Sequence, residues 1–181
     1  SYGGTSKLFM EFLPRFGIEA VLCETTDHEG IEKEVKKGCR VLYLESPTNP
    51  TLKVVDIKRL AKAAHAAGAL VVVDNTFATP INQQPLALGA DLIIHSATKF
   101  LGGHADALGG AVCGPAGLVK NIYHFREING AALDPMAAYL LLRGMKTLHL
   151  RLERQNGSAL AIARHLEKHR PLKEVFYPGL E

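Results

Sequence analysis

Short apolar runs alternate along this chain with segments of helical periodicity. The runs are rich in Val, Ile and Leu, and five of them predict strands, at residues 18–23, 40–44, 69–74, 91–95 and 110–113. Alternation of this kind is typical of βαβ units, in which helices cover both faces of a mainly parallel sheet. The pattern therefore predicts an α/β fold.

The helix between the second and third of these strands has the clearest signal. Apolar side chains recur at the spacing of one helix face, at Ile57, Leu60, Ala61 and Ala64. Asp56 stands where an N-cap is expected, and Gly68 stands where a helix ends in a left-handed residue. The last third of the chain predicts further helices, at residues 116–127, 135–144 and 147–169.

Composition and charge argue against several classes of protein. The net charge is only +3, from 21 Lys and Arg interspersed with 18 Asp and Glu, so we expect no nucleic-acid partner. The apolar runs are far shorter than the roughly 20 residues that span a bilayer, so we expect no membrane partner. Three cysteines without CxxC spacing favour a reducing, cytoplasmic location over a disulfide framework.

Polar side chains follow two neighbouring strands where each strand ends. Asp74 closes one apolar run, and Ser96, Thr98 and Lys99 close the next. Ligands of open parallel sheets collect at the carboxyl ends of the strands, so a binding site is expected here. Asp74 could cap a turn, hold a ribose hydroxyl or act in catalysis, and Lys99 could be a surface lysine or a nucleophile. Glycines after Lys99 favour a ligand-binding role over a surface lysine, because they let the backbone approach a ligand closely.

One cofactor suits a carboxylate and a lysine on neighbouring strands with hydroxyls beside the lysine. Pyridoxal phosphate has an aldehyde that needs an amine, a ring nitrogen that needs an acid partner, and a phosphate that hydroxyls can hold. The spacing is compatible with this cofactor but does not by itself establish it.

Five segments of the chain together resemble a known family. They are Tyr2-Gly3-Gly4-Thr5, Glu45-Ser46-Pro47-Thr48-Asn49-Pro50, Val73-Asp74-Asn75-Thr76-Phe77, Ser96-Ala97-Thr98-Lys99 with Gly102-Gly103-His104, and Arg143-Gly144-Met145-Lys146-Thr147-Leu148. In order and spacing they are similar to the pyridoxal-phosphate enzymes of cysteine and methionine metabolism. That family includes cystathionine γ-lyase, methionine γ-lyase, cystathionine γ-synthase and the acylhomoserine sulfhydrylases. The resemblance covers the whole chain.

The resemblance implies how the cofactor is held. Lys99 matches the lysine that forms a Schiff base with pyridoxal phosphate and then moves protons between substrate carbons. Asp74 matches the acid that pairs with the ring nitrogen. Ser96 and Thr98 match the hydroxyls that bind the phosphate. No metal ligand is implied.

Three further residues receive roles from the same resemblance. Tyr2 matches a catalytic tyrosine that stacks on the pyridine ring. Asn49 matches an asparagine near the cofactor's phenolic oxygen and the substrate carboxylate, and Thr76 is expected near the ring.

The implied reaction is γ-elimination or γ-replacement on cystathionine, methionine or an acylhomoserine. A γ-lyase or γ-synthase type is the first interpretation. An O-acetyl- or O-succinylhomoserine sulfhydrylase and a cystathionine β-lyase are alternatives, and a non-catalytic scaffold domain is a remote one. Gly4 stands where methionine γ-lyases typically carry cysteine, which disfavours strict methionine specificity.

The resemblance also implies a fold and an assembly. The fold is the aspartate-aminotransferase type, in which residues 110–113 form the one antiparallel strand of a seven-stranded sheet. Residues 1–165 would be the central part of the cofactor-binding large domain. Residues 166–181 would be the end of a connecting helix and the start of a small carboxy-terminal domain. We expect a homotetramer built as a dimer of dimers, and an isolated 181-residue segment that is inactive.

Two other enzyme classes are disfavoured. A nicotinamide dehydrogenase would need a GxGxxG turn that opens a helix, and the chain has none. His165 and His169 lie one helical turn apart, but they lack the HExxH pattern and stand among basic residues. A solvated helix end is therefore favoured over a metal site.

Overall fold

A four-stranded sheet forms the centre of the molecule, in a computed structural model that describes residues 3–180. Its strands are β1 (Val41–Glu45), β2 (Leu70–Asp74), β3 (Leu92–Ser96) and β4 (Gly110–Cys113), and they lie side by side in that order. The first three strands run parallel, and β4 pairs antiparallel with β3. The predicted mainly parallel sheet and the antiparallel strand after Lys99 are confirmed.

Helices precede, connect and follow the strands. The α-helices within residues 3–180 are α1 (Gly3–Lys7), α2 (His28–Val35), α3 (Ile57–Ala66), α4 (Thr79–Asn82), α5 (Ala116–Asn129), α6 (Pro135–Met145) and α7 (Leu148–Glu167). A π-helix at Leu8–Phe12 and 3₁₀ helices at Leu13–Phe16 and Pro85–Leu88 complete the set. In this part of the chain, no helix combines the length and the apolar character that crossing a membrane requires.

Helix α3 follows the sequence pattern closely. The Asp56 carboxylate accepts a hydrogen bond from the Arg59 backbone N–H at 2.9 Å, and this satisfies one of the donors left free at a helix start. The chain leaves the helix at Gly68, whose φ of 76° lies in the left-handed region that glycine adopts without strain. The predicted apolar face is buried against Val71 and Val73 of β2 and forms the larger core cluster.

A second apolar cluster lies under the segment that follows β3. Ala97 and Leu101 of that segment pack with Leu141 of α6 and with Leu148 and Leu152 of α7. Because Lys99 stands between Ala97 and Leu101 in the sequence, this cluster attaches the lysine's turn to α6 and α7.

The first predicted strand, residues 18–23, is wrong. Within residues 3–180 the segment forms no strand and pairs with none, and Ile18, Val21 and Leu22 are 49%, 58% and 57% exposed. An apolar run resembles a strand in sequence, but a strand also needs a neighbour for its backbone hydrogen bonds. The division of the chain at residue 165 falls within α7 and stays a prediction.

Candidate active site

The register of the sheet brings the ends of three strands to one edge. Glu45 of β1 lies opposite Asp74 of β2, and Asp74 lies opposite Ile94 of β3. Two residues beyond Ile94 on the same face comes Ser96, the last residue of β3. Asp74 and Ser96 therefore emerge at the same edge, as expected for parallel strands.

The Asp74 carboxylate is half-buried and held by two donors. Its Oδ2 atom accepts a hydrogen bond from the Tyr43 hydroxyl at 3.1 Å, and its Oδ1 atom accepts one from the Thr76 backbone N–H at 3.0 Å. A carboxylate has about four acceptor positions, so two bonds orient the group and leave it able to accept another. Asp74, at the open edge of the sheet, can therefore accept a further hydrogen bond from a cationic N–H group.

Tyr43 is a site residue that sequence reasoning missed. It lies two positions before Glu45 on β1 and shares that residue's face, which places its hydroxyl diagonally across from Asp74. Burial and the negative charge of Asp74 raise the pKa of the Tyr43 phenol, so it remains a donor throughout the neutral range. Phe9 packs edge-on against its ring, with centroids 5.0 Å apart. The only sequence signal was an aromatic residue in phase with Glu45.

Thr76 links the ends of β2 and β3. Its Oγ1 atom accepts a hydrogen bond from the Ser96 backbone N–H at 2.7 Å, and the Lys99 backbone N–H donates to the Ser96 carbonyl at 3.1 Å. A continuous path of hydrogen bonds thus runs from Tyr43 through Asp74, Thr76 and Ser96 to the backbone of Lys99. The structure brings these candidate residues into one cluster.

The two groups best suited to new bonds are Lys99 and Ser96. The Lys99 side chain is exposed, and within residues 3–180 neither its amine nor the Ser96 hydroxyl has a hydrogen-bond partner. Thr98 differs, because its hydroxyl donates to the Gly109 carbonyl at 3.3 Å and accepts from the Gly109 N–H at 3.0 Å. Thr98 therefore anchors the glycine segment before β4, and its proton would have to rotate before it could donate to a phosphate.

Asn49 lies in the exposed turn after β1. Its backbone N–H donates to Glu45 Oε1 at 3.0 Å, and the turn contains cis peptide bonds at Ser46–Pro47 and Asn49–Pro50. Tyr2, the predicted stacking residue, lies outside the described residues.

A pair of amide side chains, one buried and one half-buried, was also missed from sequence and ties the turn after β1 to the turn after β2. Asn75 is 1% exposed and donates to the Gln83 carbonyl at 2.9 Å. The Gln83 side chain donates in return to Asn75 Oδ1 at 2.8 Å and to the Ser46 carbonyl at 2.9 Å. Buried amides satisfied in this way fix backbone positions, so the pair holds the segments that carry Asn49 and Asp74 together.

His95 lies on the opposite face of β3 from Ser96. It is 4% exposed, its Nδ1 atom has no partner within the described chain, and burial lowers its pKa against the opposing effect of Asp74. Burial therefore favours the neutral form of the imidazole. His165 and His169 are exposed and stacked, with centroids 6.4 Å apart, and among residues 3–180 no three metal-ligating side chains converge.

The chemistry of these donors and acceptors fits pyridoxal phosphate. The cofactor needs an amine, an oriented carboxylate and phosphate donors, and Lys99, Asp74 and Ser96 are available at one sheet edge. An α/β sheet that presents these side chains at one edge is compatible with a pyridoxal-phosphate site.

Comparison with known proteins identifies the family. The sequence model of the family described as "Cys/Met metabolism PLP-dependent enzyme" matches residues 1–181. The chain belongs to this family, whose cofactor, PLP, is pyridoxal phosphate. The predicted resemblance, fold class and cofactor are thereby confirmed.

Individual relatives match almost all of the chain. The enzyme named "Cystathionine gamma-synthase 1, chloroplastic" from Nicotiana tabacum is 51% identical over 178 residues, which are 97% of this chain and 33% of the tobacco protein. The cystathionine gamma-lyase of Bacillus subtilis is 44% identical over 179 residues, 98% of this chain and 47% of that protein. The crystal structure of cystathionine gamma-lyase from Lactobacillus plantarum complexed with L-serine has a TM-score of 0.95 at 39% identity, covering 99% of this chain and 47% of that one. The chain spans a third to a half of the length of these relatives.

Proposed function

We propose that the protein containing this chain is a pyridoxal-phosphate-dependent enzyme that catalyses γ-elimination or γ-replacement on cystathionine, methionine or an acylhomoserine. The observation that carries the proposal is the Asp74 carboxylate, oriented by two donors and joined by hydrogen bonds to the turn of Lys99. Relatives named cystathionine gamma-synthase, cystathionine gamma-lyase and L-methionine gamma-lyase support this class of substrate.

The cofactor-binding residues have separate tasks in this proposal. When bound, pyridoxal phosphate supplies an electron-withdrawing ring that stabilises negative charge on substrate carbon. Asp74 would accept a hydrogen bond from the ring nitrogen and favour its protonated form, and Tyr43 and the Thr76 N–H hold the carboxylate in place for this role. Ser96 would donate to the phosphate, and Thr98 could do so if its proton rotated away from Gly109.

Lys99 has two tasks, which use the same exposed amine. The amine would hold the cofactor covalently, and once displaced by a substrate amine it would serve as the base that takes the proton from the substrate α carbon. The Lys99 backbone N–H donates to the Ser96 carbonyl, so the side chain can move while the backbone stays in place.

Tyr2 and Asn49 complete the proposed site. Tyr2 is assigned to stacking on the ring and to protonating the leaving group, from its motif alone. Asn49 lies in an exposed turn whose backbone is fixed by Glu45, which leaves its amide available to a substrate carboxylate.

Cystathionine β-lyase activity is the second candidate. The relative named "Cystathionine beta-lyase MetC" from Bacillus subtilis is 44% identical over 180 residues. Cleavage at the β carbon needs the same lysine and acid, so the residues of this chain serve either reaction. The acylhomoserine sulfhydrylase alternative likewise differs in the substrate and not in these residues.

An assembly and a location accompany the proposal. Phe125 and Ile128 on α5 are 68% and 74% exposed, so a further protein surface is expected to cover them, and we assign that surface to a homo-oligomer built as a dimer of dimers. The three cysteines are free, which supports a reducing cytoplasm.

Product analysis of the full-length protein tests the function. Cystathionine should yield cysteine, a four-carbon 2-oxo acid and ammonia by γ-elimination, whereas β-elimination should yield homocysteine, pyruvate and ammonia. Methionine, and acylhomoserine with sulfide or cysteine, complete the panel. Lys99→Ala should abolish turnover, and Lys120→Ala, at an exposed position of α5, should not. Absence of turnover with every substrate, or full activity in Lys99→Ala, would contradict the proposal.

A further inference from the structure

The turn that carries Lys99 has two backbone carbonyls directed away from it. The Gly102 N–H donates to the Ala97 carbonyl at 2.9 Å, and the Gly103 N–H donates to the Lys99 carbonyl at 2.7 Å. These bonds close the turn on itself. The carbonyls of Phe100 and Leu101 are not used within the turn and accept from another element.

That element is α7, through the guanidinium of Arg151. Its Nη1 atom donates to the Phe100 carbonyl at 2.9 Å, and its Nη2 atom donates to the Gly144 carbonyl at 2.9 Å and, more weakly, to the Leu101 carbonyl at 3.4 Å. Its Nε atom donates to Thr147 Oγ1 at 3.2 Å. One planar group, about 50 residues beyond the Lys99 turn in the sequence, thus joins that turn to the end of α6.

The charge of Arg151 meets carbonyl oxygens and no carboxylate within residues 3–180. Gly144 belongs to the last turn of α6, where the helix carries partial negative charge on its carbonyl oxygens. The Arg151 guanidinium is therefore stabilised by the carboxyl end of α6, and it also donates hydrogen bonds to the turn that carries Lys99.

Two glycines make the close approach possible. A Cβ atom at Gly103 would lie 2.2 Å from Arg151 Nη1, and one at Gly144 would lie 2.1 Å from the Gly102 carbonyl oxygen. Gly103 also has a φ of 77°, in the left-handed region. The guanidinium therefore packs directly against the backbone at Gly103, and α6 packs directly against the backbone at Gly102, so the turn has little room to move.

We propose that Arg151 is a positioning residue for Lys99, which holds the lysine's turn against α6 and α7 so that the amine starts from one fixed place. The inference rests on the proposed function of Lys99 and extends the site to a helix beyond the sheet edge. Arg151 itself touches neither the Lys99 amine nor Asp74 in the hydrogen bonds of the structure.

Hydrogen exchange of the full-length protein without cofactor tests the attachment directly. The variants are Arg151→Met, Arg151→Lys and the control Arg154→Met, which changes an exposed arginine on the same helix that makes no hydrogen bond within residues 3–180. In Arg151→Met, a peptide covering residues 97–103 should exchange about tenfold faster, because the loss of one bond to a charged donor is a change of at least this size. In Arg151→Lys, the exchange rate of this peptide should lie between those of the unaltered protein and Arg151→Met, because an ammonium group cannot span the same carbonyls. A peptide from β2 should be unaffected.

A second measurement connects the attachment to Lys99. With pyridoxal phosphate bound, the pH midpoint of its visible absorption should shift in Arg151→Met, return towards the original value in Arg151→Lys, and stay unchanged in Arg154→Met. Unchanged exchange at residues 97–103, or equal acceleration in β2, would overturn the positioning role. If exchange changes as expected but the unaltered protein takes up no cofactor on Lys99, the attachment stands and the proposed function fails.

Discussion

Replacement of Gly144 by alanine tests how tightly α6 is packed against the Lys99 turn. The added Cβ atom would lie 2.1 Å from the Gly102 carbonyl oxygen and 2.9 Å from its carbonyl carbon. The first distance is about 1 Å inside the closest approach that Cβ atoms make. Because the neighbour is backbone and not a flexible side chain, the clash can be relieved only by moving α6 or the turn.

The expected cost follows from two opposing effects. Alanine in place of glycine favours a helix by about 1 kcal/mol, whereas overpacking of a core costs about 1–3 kcal/mol and sometimes more. A backbone clash of this size belongs at the upper end of that range, so we expect Gly144→Ala to be destabilising by about 1–2 kcal/mol net. Gly157 on α7 provides the matched control, because a Cβ atom there would meet nothing within 4 Å. Gly157→Ala should gain up to about 1 kcal/mol.

Thermal unfolding of the full-length protein without cofactor, followed by circular dichroism, measures both variants. The midpoint should fall in Gly144→Ala and stay or rise in Gly157→Ala, and each kcal/mol should move it by roughly 2–4 °C or less in a large chain. Hydrogen exchange at residues 97–103 should accelerate only in Gly144→Ala. Equal midpoints in the two variants, or a larger loss in Gly157→Ala, would refute the close packing of α6 on the turn.

Three other substitutions distinguish residues that affect cofactor binding from residues that affect the stability of the fold. Tyr43→Phe removes the hydroxyl that donates to the Asp74 carboxylate, and a hydrogen bond to a charged group is worth about 1.5–3 kcal/mol. The dissociation constant of pyridoxal phosphate should therefore rise while the fold changes little. An unchanged dissociation constant would show that the hydroxyl is dispensable. Asp56→Ala removes the N-cap of α3 and should cost about 1 kcal/mol in urea unfolding while leaving cofactor affinity intact; altered affinity would mean that α3 contributes to the site. Burial lowers the pKa of His95 below its unfolded value of about 6.5, so the unfolded chain binds the extra proton first and stability should fall as pH drops below that value. Unfolding midpoints from pH 8 to about 5 should decline less in His95→Gln, and an equal decline would exclude this histidine as the cause.

The strands at the centre of the sheet were predictable because burial on both faces makes them nearly continuous apolar runs. Val71 and Val73 of β2 are fully buried, and Leu92 and Ile93 of β3 are buried as well. Residues 18–23 have a similar composition but lie outside the sheet, because pairing depends on which neighbour is available and not on local composition.

The candidate site was predictable to the extent that it follows strand ends. Asp74 and Lys99 stand at the carboxyl ends of strands, where open parallel sheets bind ligands. The motifs around them predict which cofactor they bind. The bond from Tyr43 to Asp74 was not predictable, since it depends on the register of β1 against β2. The bonds of Arg151 depend on how α7 packs under a turn far away in sequence, which no local pattern encodes.

Borohydride reduction of the full-length protein tests the central claim most directly. The protein should be yellow with pyridoxal phosphate, lose that colour on reduction, and carry a pyridoxyl group on the peptide that contains Lys99, with the site assigned by fragmentation in the mass spectrometer. Lys99→Ala should carry none on that peptide. A pyridoxyl group on another lysine, or on none, would contradict the assignment of Lys99 as the cofactor-binding residue.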